Sequence, residues 1–169
     1  MACSSILDGV WREAAIEFYA VRAARLAKGR QAPKGVQSFI NAALDVRFEE
    51  AGWEGTGGRY RFEDAWLRVT FRHSMSLGAD FLDALRLTRK EGVAQVAIVA
   101  ASADFLQLIT PNDAAALVSF ERLMSQAVEL DGVFDFDLFV GRLTPVSTLP
   151  VEVAVALARE RPRDTYQPT

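Results

Sequence analysis

The chain has 169 residues, 50% of them apolar and 24% charged, with a formal net charge of −3. That is a globular composition, and the length suits one domain, so a core that needs no covalent staple is expected. Cys3 is the only cysteine, which excludes an intramolecular disulfide and a zinc site built from several thiolates.

No basic region followed by a long apolar run opens the chain, so no signal peptide is expected. The apolar run Val96 to Ala101, which no other exceeds, is strand-sized and far below the roughly 20 residues of a membrane helix. These features suggest a soluble protein of the reducing cytoplasm with no membrane partner. The acidic balance argues against indiscriminate coating of nucleic acid. The charge is uneven, however: residues 1–90 carry 14 Lys/Arg against 11 Asp/Glu, and residues 91–169 carry 5 against 11. One basic face on an acidic protein would produce this, as would chance on a solvated surface.

A first helix is expected over 5–28, where Leu7, Trp11, Ala14, Phe18 and Val21 recur at steps of four and three. Ser4 or Ser5 can cap it and Gly29 can end it. A second helix spans about 34 to 51, with Val36, Ile40, Leu44 and Phe48 stepping by four. The stretch 52–58 holds four glycines and reads as a flexible loop; no Gly-Lys-Ser/Thr follows to make it a phosphate loop.

The period then changes to two. Tyr60 and Phe62 alternate with Arg59 and Arg61, and Leu67, Val69 and Phe71 with Arg68, Thr70 and Arg72, which predicts an antiparallel hairpin over 59–72. A helix over about 78 to 91 stops at Gly92. Val93 to Ala100 predicts a strand covered on both faces. Ser102 and Asp104 start a short helical turn. Thr110-Pro111-Asn112-Asp113 signals the start of a helix reaching about 129. Residues 134–140 predict a strand, with Phe134, Phe136 and Leu138 on one face and Asp135 and Asp137 on the other. Pro150 opens a last helix to about Arg161. The expected architecture is a single α/β domain over 1–162, a mixed β-sheet flanked by helices, followed by a mobile C-terminal tail over 163–169.

Few residues carry chemical signals. His73 is the only histidine. At a strand end it could act as a general base or ligand, or simply be a hydrogen-bonded strand-end residue. Glu13 with Glu17, Glu63 with Asp64, and Asp80 with Asp83 are carboxylate pairs that could hold a hard cation or form solvated faces. None matches a calcium loop. Arg86, Arg89 and Lys90 share a helix face. With the cluster Arg22, Arg25, Lys28, Arg30 and Lys34 they could track a phosphate backbone or serve solubility.

Asn41, Gly52-Trp53, Leu67-Arg68-Val69-Thr70-Phe71, Asp80-Phe81-Leu82 and Val96-Ala97-Ile98-Val99 occur in an order that resembles the PD-(D/E)xK nuclease fold, and within it the BglII/BstYI-type restriction endonucleases. The resemblance covers about Phe39 to Val140. That family shows an Asn in a helix, a Gly-Trp, a hairpin bearing Asp and then Glu-x-Gln/Lys, a further helix and an apolar strand. The resemblance implies a restriction-endonuclease-like core and two hairpin carboxylates binding magnesium. The chain departs where the chemistry lies: Arg68 and Thr70 stand at the positions of the motif's Glu and Gln/Lys. A cation at Arg68 repels magnesium.

The reading is therefore a non-catalytic nucleic-acid-binding or assembly subunit, in the setting the resemblance implies, a prokaryotic antiviral defence or restriction system. Arg68, Arg72, Arg86, Arg89 and Lys90 would contact DNA or RNA, and a protein partner or homodimer would complete the assembly. No cofactor is expected. One alternative is an active magnesium-dependent endonuclease with a rearranged site at Asp64, His73 and Asp80, the metal held by Glu63 and Asp64. The other is a protein-interaction module whose acidic second half meets a basic partner.

Overall fold

A computed structural model describes residues 7, 10–31, 33, 35–110 and 112–144. The helix expected from Pro150, the tail over 163–169, Ser4, Ser5, Lys34 and Pro111 lie outside the described residues. The chain divides into two compact units, the second spanning 48–144.

In the first unit, α1 (Val10–Ala27) buries Val10, Ala14 and Val21 along one stripe, with Ala15 and Ala20 buried to either side of it. Gly29 takes a positive φ of 66° at its end, as its sequence position suggests. Helix α2 (Gln37–Glu50) buries Phe39, Ile40 and Leu44. The Phe18 ring meets Phe39 edge-on at 5.6 Å, and the Arg47 guanidinium pairs with Glu13, its Nε donating to Oε2 over 3.2 Å. The last turn of α2, from Phe48, belongs to the second unit.

That second unit is built on a five-stranded sheet in the order β1-β2-β3-β4-β5, comprising β1 (Glu54–Thr56), β2 (Arg59–Phe62), β3 (Ala65–Thr70), β4 (Gln95–Ala101) and β5 (Leu138–Leu143). The first three strands form an antiparallel meander; β3, β4 and β5 run parallel. Helices flank this mixed sheet, as expected: α3 (Leu77–Glu91), α4 (Ala103–Ile109) and α5 (Phe120–Glu129). The predicted hairpin and the two later strands join one sheet.

The alternation of β3 divides the core. Trp66 lies with Val96, Ile98 and Ala100 of β4 against Leu77, Phe81, Ala84 and Leu87 of α3 and Leu123 of α5. The α3 residues recur at steps of three and four, so one helix face meets one sheet face. Tyr60 of β2 stacks on Phe48 at 4.1 Å, and Trp53 meets Phe48 edge-on.

Three elements differ from expectation, each for a local reason. The glycine-rich stretch is not a loop throughout, because β1 pairs there with β2, Glu54 opposite Arg61. Gly57 and Gly58 turn between them with φ of 64° and 79°. A two-residue Gly-Gly turn with both φ positive matches the twist of a hairpin. A side chain at Gly58 would place Cβ 2.4 Å from the Val69 carbonyl oxygen.

The helix expected from Thr110 starts only at Phe120, after a 3-10 turn at Ala114–Ala116. Leu117 bridges His73, and the Val118 amide donates to the Arg72 carbonyl at 2.9 Å, so this segment is held extended. Ser119 then caps α5, its hydroxyl accepting from the Arg122 amide. Lastly, β5 begins at Leu138, later than expected, although Phe134 and Phe136 still pack inward while Asp135 and Asp137 are exposed.

This register sets a direct contrast on α5. Leu123 has no exposed surface and Val128 is 67% exposed. Leu123→Ala is expected to lower unfolding free energy by about 2–5 kcal/mol, and Val128→Ala to change it by less than about 0.5 kcal/mol, in urea titrations.

Candidate functional site

The side chains of Trp66, Arg68 and Thr70 project from the same face of β3. Trp66 packs in the core, but the next two positions put a cation and a hydroxyl beneath the first turn of α3. Arg68 is 7% exposed and Asp80, on that turn, is fully buried. Asp80 Oδ1 lies 3.4 Å from Arg68 Nε and 3.3 Å from Arg72 Nη1. The Thr70 hydroxyl donates to Asp80 Oδ2 at 2.9 Å and accepts from the Arg72 amide at 3.4 Å. Arg68 Nη1 also donates to the Gly57 carbonyl at 3.4 Å.

The electrostatics of this constellation are unbalanced. Arg59 stands in register with Arg68 on the neighbouring strand, and its guanidinium pairs with Asp83 at 3.4 Å. Three guanidiniums therefore meet two carboxylates. Burial lowers the pKa of Arg68 from its ordinary value; Asp80 opposes that shift, while Arg72 and Arg59 add to it. Arg68 Nε and Asp80 Oδ1 have no hydrogen bond, so their contact is ionic. An Asp in the first turn also suits the positive end of the helix dipole.

The structure thus brings Arg68, Arg72 and Asp80 together and adds Thr70, Arg59 and Asp83. Glu63 and Asp64 form the exposed turn between β2 and β3, Glu63 with a positive φ of 51°. The Asp64 carbonyl accepts from the amides of Ala94 and Gln95, anchoring the start of β4. His73 is exposed beyond the other end of β3, with Nδ1 accepting from the Met75 amide. The ends of β3 are roughly 17 Å apart at about 3.3 Å per residue, so Asp64, His73 and Asp80 are not gathered into one site.

Helix α3 presents Arg86, Arg89 and Lys90 to solvent. Arg86 approaches Glu91 at 4.0 Å, and Arg89 reaches Asp135 at 3.5 Å. On β2, Arg61 pairs with Glu91 at 3.2 Å. Arg59 and Arg61, which the sequence pattern does not single out as site residues, stand beside these residues in the structure. Their period-two placement in β2 was the available signal; their position alongside α3 was not encoded in any local pattern.

Magnesium, which the family resemblance implies, does not fit the residues present. The Asp80 carboxylate is engaged by two guanidiniums and a hydroxyl, and the buried Arg68 beside it opposes a cation. Among the described residues no three His, Cys, Asp or Glu side chains come together as a metal site. No family model, curated protein or solved structure matches the chain.

Asp80→Asn keeps the side-chain shape but leaves Arg68 buried without its counter-charge. We expect a loss of about 3–5 kcal/mol in urea denaturation, against about 1 kcal/mol or less for Asp83→Asn, whose pair is largely exposed. Equal losses in the two variants would show that the buried constellation has no special weight.

Proposed function

We propose that the chain is a non-catalytic nucleic-acid-binding subunit with a degenerate restriction-endonuclease-like core, acting in a prokaryotic defence or restriction system. The observation that carries this reading is Arg68: a buried guanidinium, locked to Asp80, at the strand position where the resemblance places a metal-binding carboxylate. The order of elements supports it as well. Asn41 lies in α2, Gly52-Trp53 leads into the meander, and α3 and the apolar strand β4 follow.

The surface charge supports contact with phosphates. Arg59 and Arg61 of β2, Arg72 just past β3, and Arg86, Arg89 and Lys90 of α3 reach solvent, whereas Arg68, which the sequence pattern offered as a phosphate contact, is buried against Asp80; the acids paired with the exposed cations are Asp80, Asp83, Glu91 and Asp135. Residues 59–91 carry seven Lys/Arg against five Asp/Glu, so the excess is positive but small. Arg86 to Lys90 span about 6 Å of helix at about 1.5 Å per residue, so their charges act together on a passing strand. Exposed pairs of this kind are weak, about 0–1 kcal/mol, and can open to a phosphate.

Affinity for DNA or RNA is expected to fall steeply with salt. Replacing Arg86, Arg89 and Lys90 together by Ala should weaken binding to all sequences and reduce the magnitude of the log-log salt slope by about 0.7–0.9 per lost contact. Stability should change by no more than about 0.5 kcal/mol per site. A wild-type chain that binds no nucleic acid at low salt overturns the proposal in favour of a protein-interaction module.

The same reading predicts no cleavage when the purified protein is incubated with DNA and magnesium. Robust cleavage that is lost in Asp64→Ala would establish the endonuclease alternative instead.

A further inference from the structure

The opposite edge of the sheet carries a different surface. Among the described residues β5 has a neighbour on one side only, β4. An edge strand presents unpaired amides and carbonyls, and proteins guard such edges with proline, lysine or a bulge. The sequence of β5, Leu-Phe-Val-Gly-Arg-Leu, contains neither proline nor lysine. Its one charge, Arg142, is drawn aside, 3.7 Å from Glu121 and 5.5 Å from the centre of the Phe120 ring. Phe139 is 59% exposed on this edge strand.

A groove of about 540 Å³ opens where β5 begins. Leu130, Phe134, Phe136, Leu138 and Phe139 supply its apolar wall, and Asp131, Asp135 and Asp137 its charge. The strip 135–137 also walls a second hollow of about 440 Å³ beside Thr88, Arg89 and Val93. Asp131 and Asp137 have no ion pair among the described residues, and Asp135 has only the exposed contact with Arg89. An apolar groove rimmed by carboxylates repels nucleic acid and selects a cationic occupant. An open strand edge beside it selects an extended one.

We propose that β5 and this groove dock an extended, basic segment of a partner protein. The segment adds to the sheet as a further strand. Its side chains alternate, so one set enters the apolar groove while Lys or Arg side chains meet Asp131, Asp135 and Asp137. This deepens the assembly side of the proposed function and does not depend on nucleic-acid binding, which is read in a separate assay.

The test uses the full chain and a fluorescein-labelled octapeptide of alternating Lys and Val with blocked ends. Fluorescence anisotropy should show saturable binding, at least about tenfold weaker when Glu replaces Lys in the peptide. Asp135→Lys with Asp137→Lys should weaken the Lys-Val peptide by about tenfold or more, and the shape-preserving Asp131→Asn with Asp137→Asn should act in the same direction. Hydrogen exchange of residues 138–143 should slow when the peptide is added. Equal affinity for the two peptides, or an unchanged affinity in both variants, overturns the proposal. So does full protection of 138–143 in the free protein, which would mean that the edge is covered by the chain itself or by a second copy.

Discussion

Asp80 lies on the first turn of α3 with no exposed surface, and two guanidiniums and a hydroxyl converge on its carboxylate. Removing an ion from water costs several kcal/mol, and the attraction between partners offsets this only when the geometry is maintained. The constellation therefore works as a constraint. It fixes α3 over the face of β3, because a rotation of the helix would leave Arg68 buried without a counter-charge. It orders the exit from β3, because Arg72 is held through both its side chain and its amide. Through Gly57 it ties the turn between β1 and β2 to the central strand.

That constraint also limits the chemistry. A carboxylate that serves as counter-ion to Arg68 and Arg72 is not free to bind a divalent cation, and the nearby guanidiniums oppose one electrostatically. The buried ionic cluster holds α3 to β3. Arg59 and Arg72 extend its positive charge towards solvent, since their guanidiniums are only partly buried.

The second unit carries surfaces of opposite sign next to each other. Arginines of β2 and α3 line one, and the carboxylates at 131–137 line the other. The exposed pair Arg89–Asp135 marks where they meet. The proposed subunit would use the basic side for nucleic acid and the acidic, apolar side for a protein. The overall charge of −3 averages over both and hides each of them.

Much of this was legible in the sequence. The three-four spacing in α1, the stepping by four in α2, the period-two hairpin and the apolar run of β4 each encode a local backbone preference and a buried face together, so pattern alone placed them. Gly92 and Ser102 marked a helix end and a helix start for the same reason: a φ of 69° and a hydroxyl accepting from the Phe105 amide are local requirements. The Gly57-Gly58 pair is also a local hairpin signal, since a two-residue turn with both φ positive favours glycine. Tertiary structure alone decided the rest. Thr110-Pro111-Asn112-Asp113 is a sound helix start, yet the pairing of Leu117 and Val118 with residues 72–73 keeps the next segment extended. Arg68 and Arg72 on the hairpin and Asp80 on the helix were each visible as charges. That one fully buried carboxylate joins the two arginines depends on how α3 packs across the sheet, and no local pattern encodes such a long-range contact.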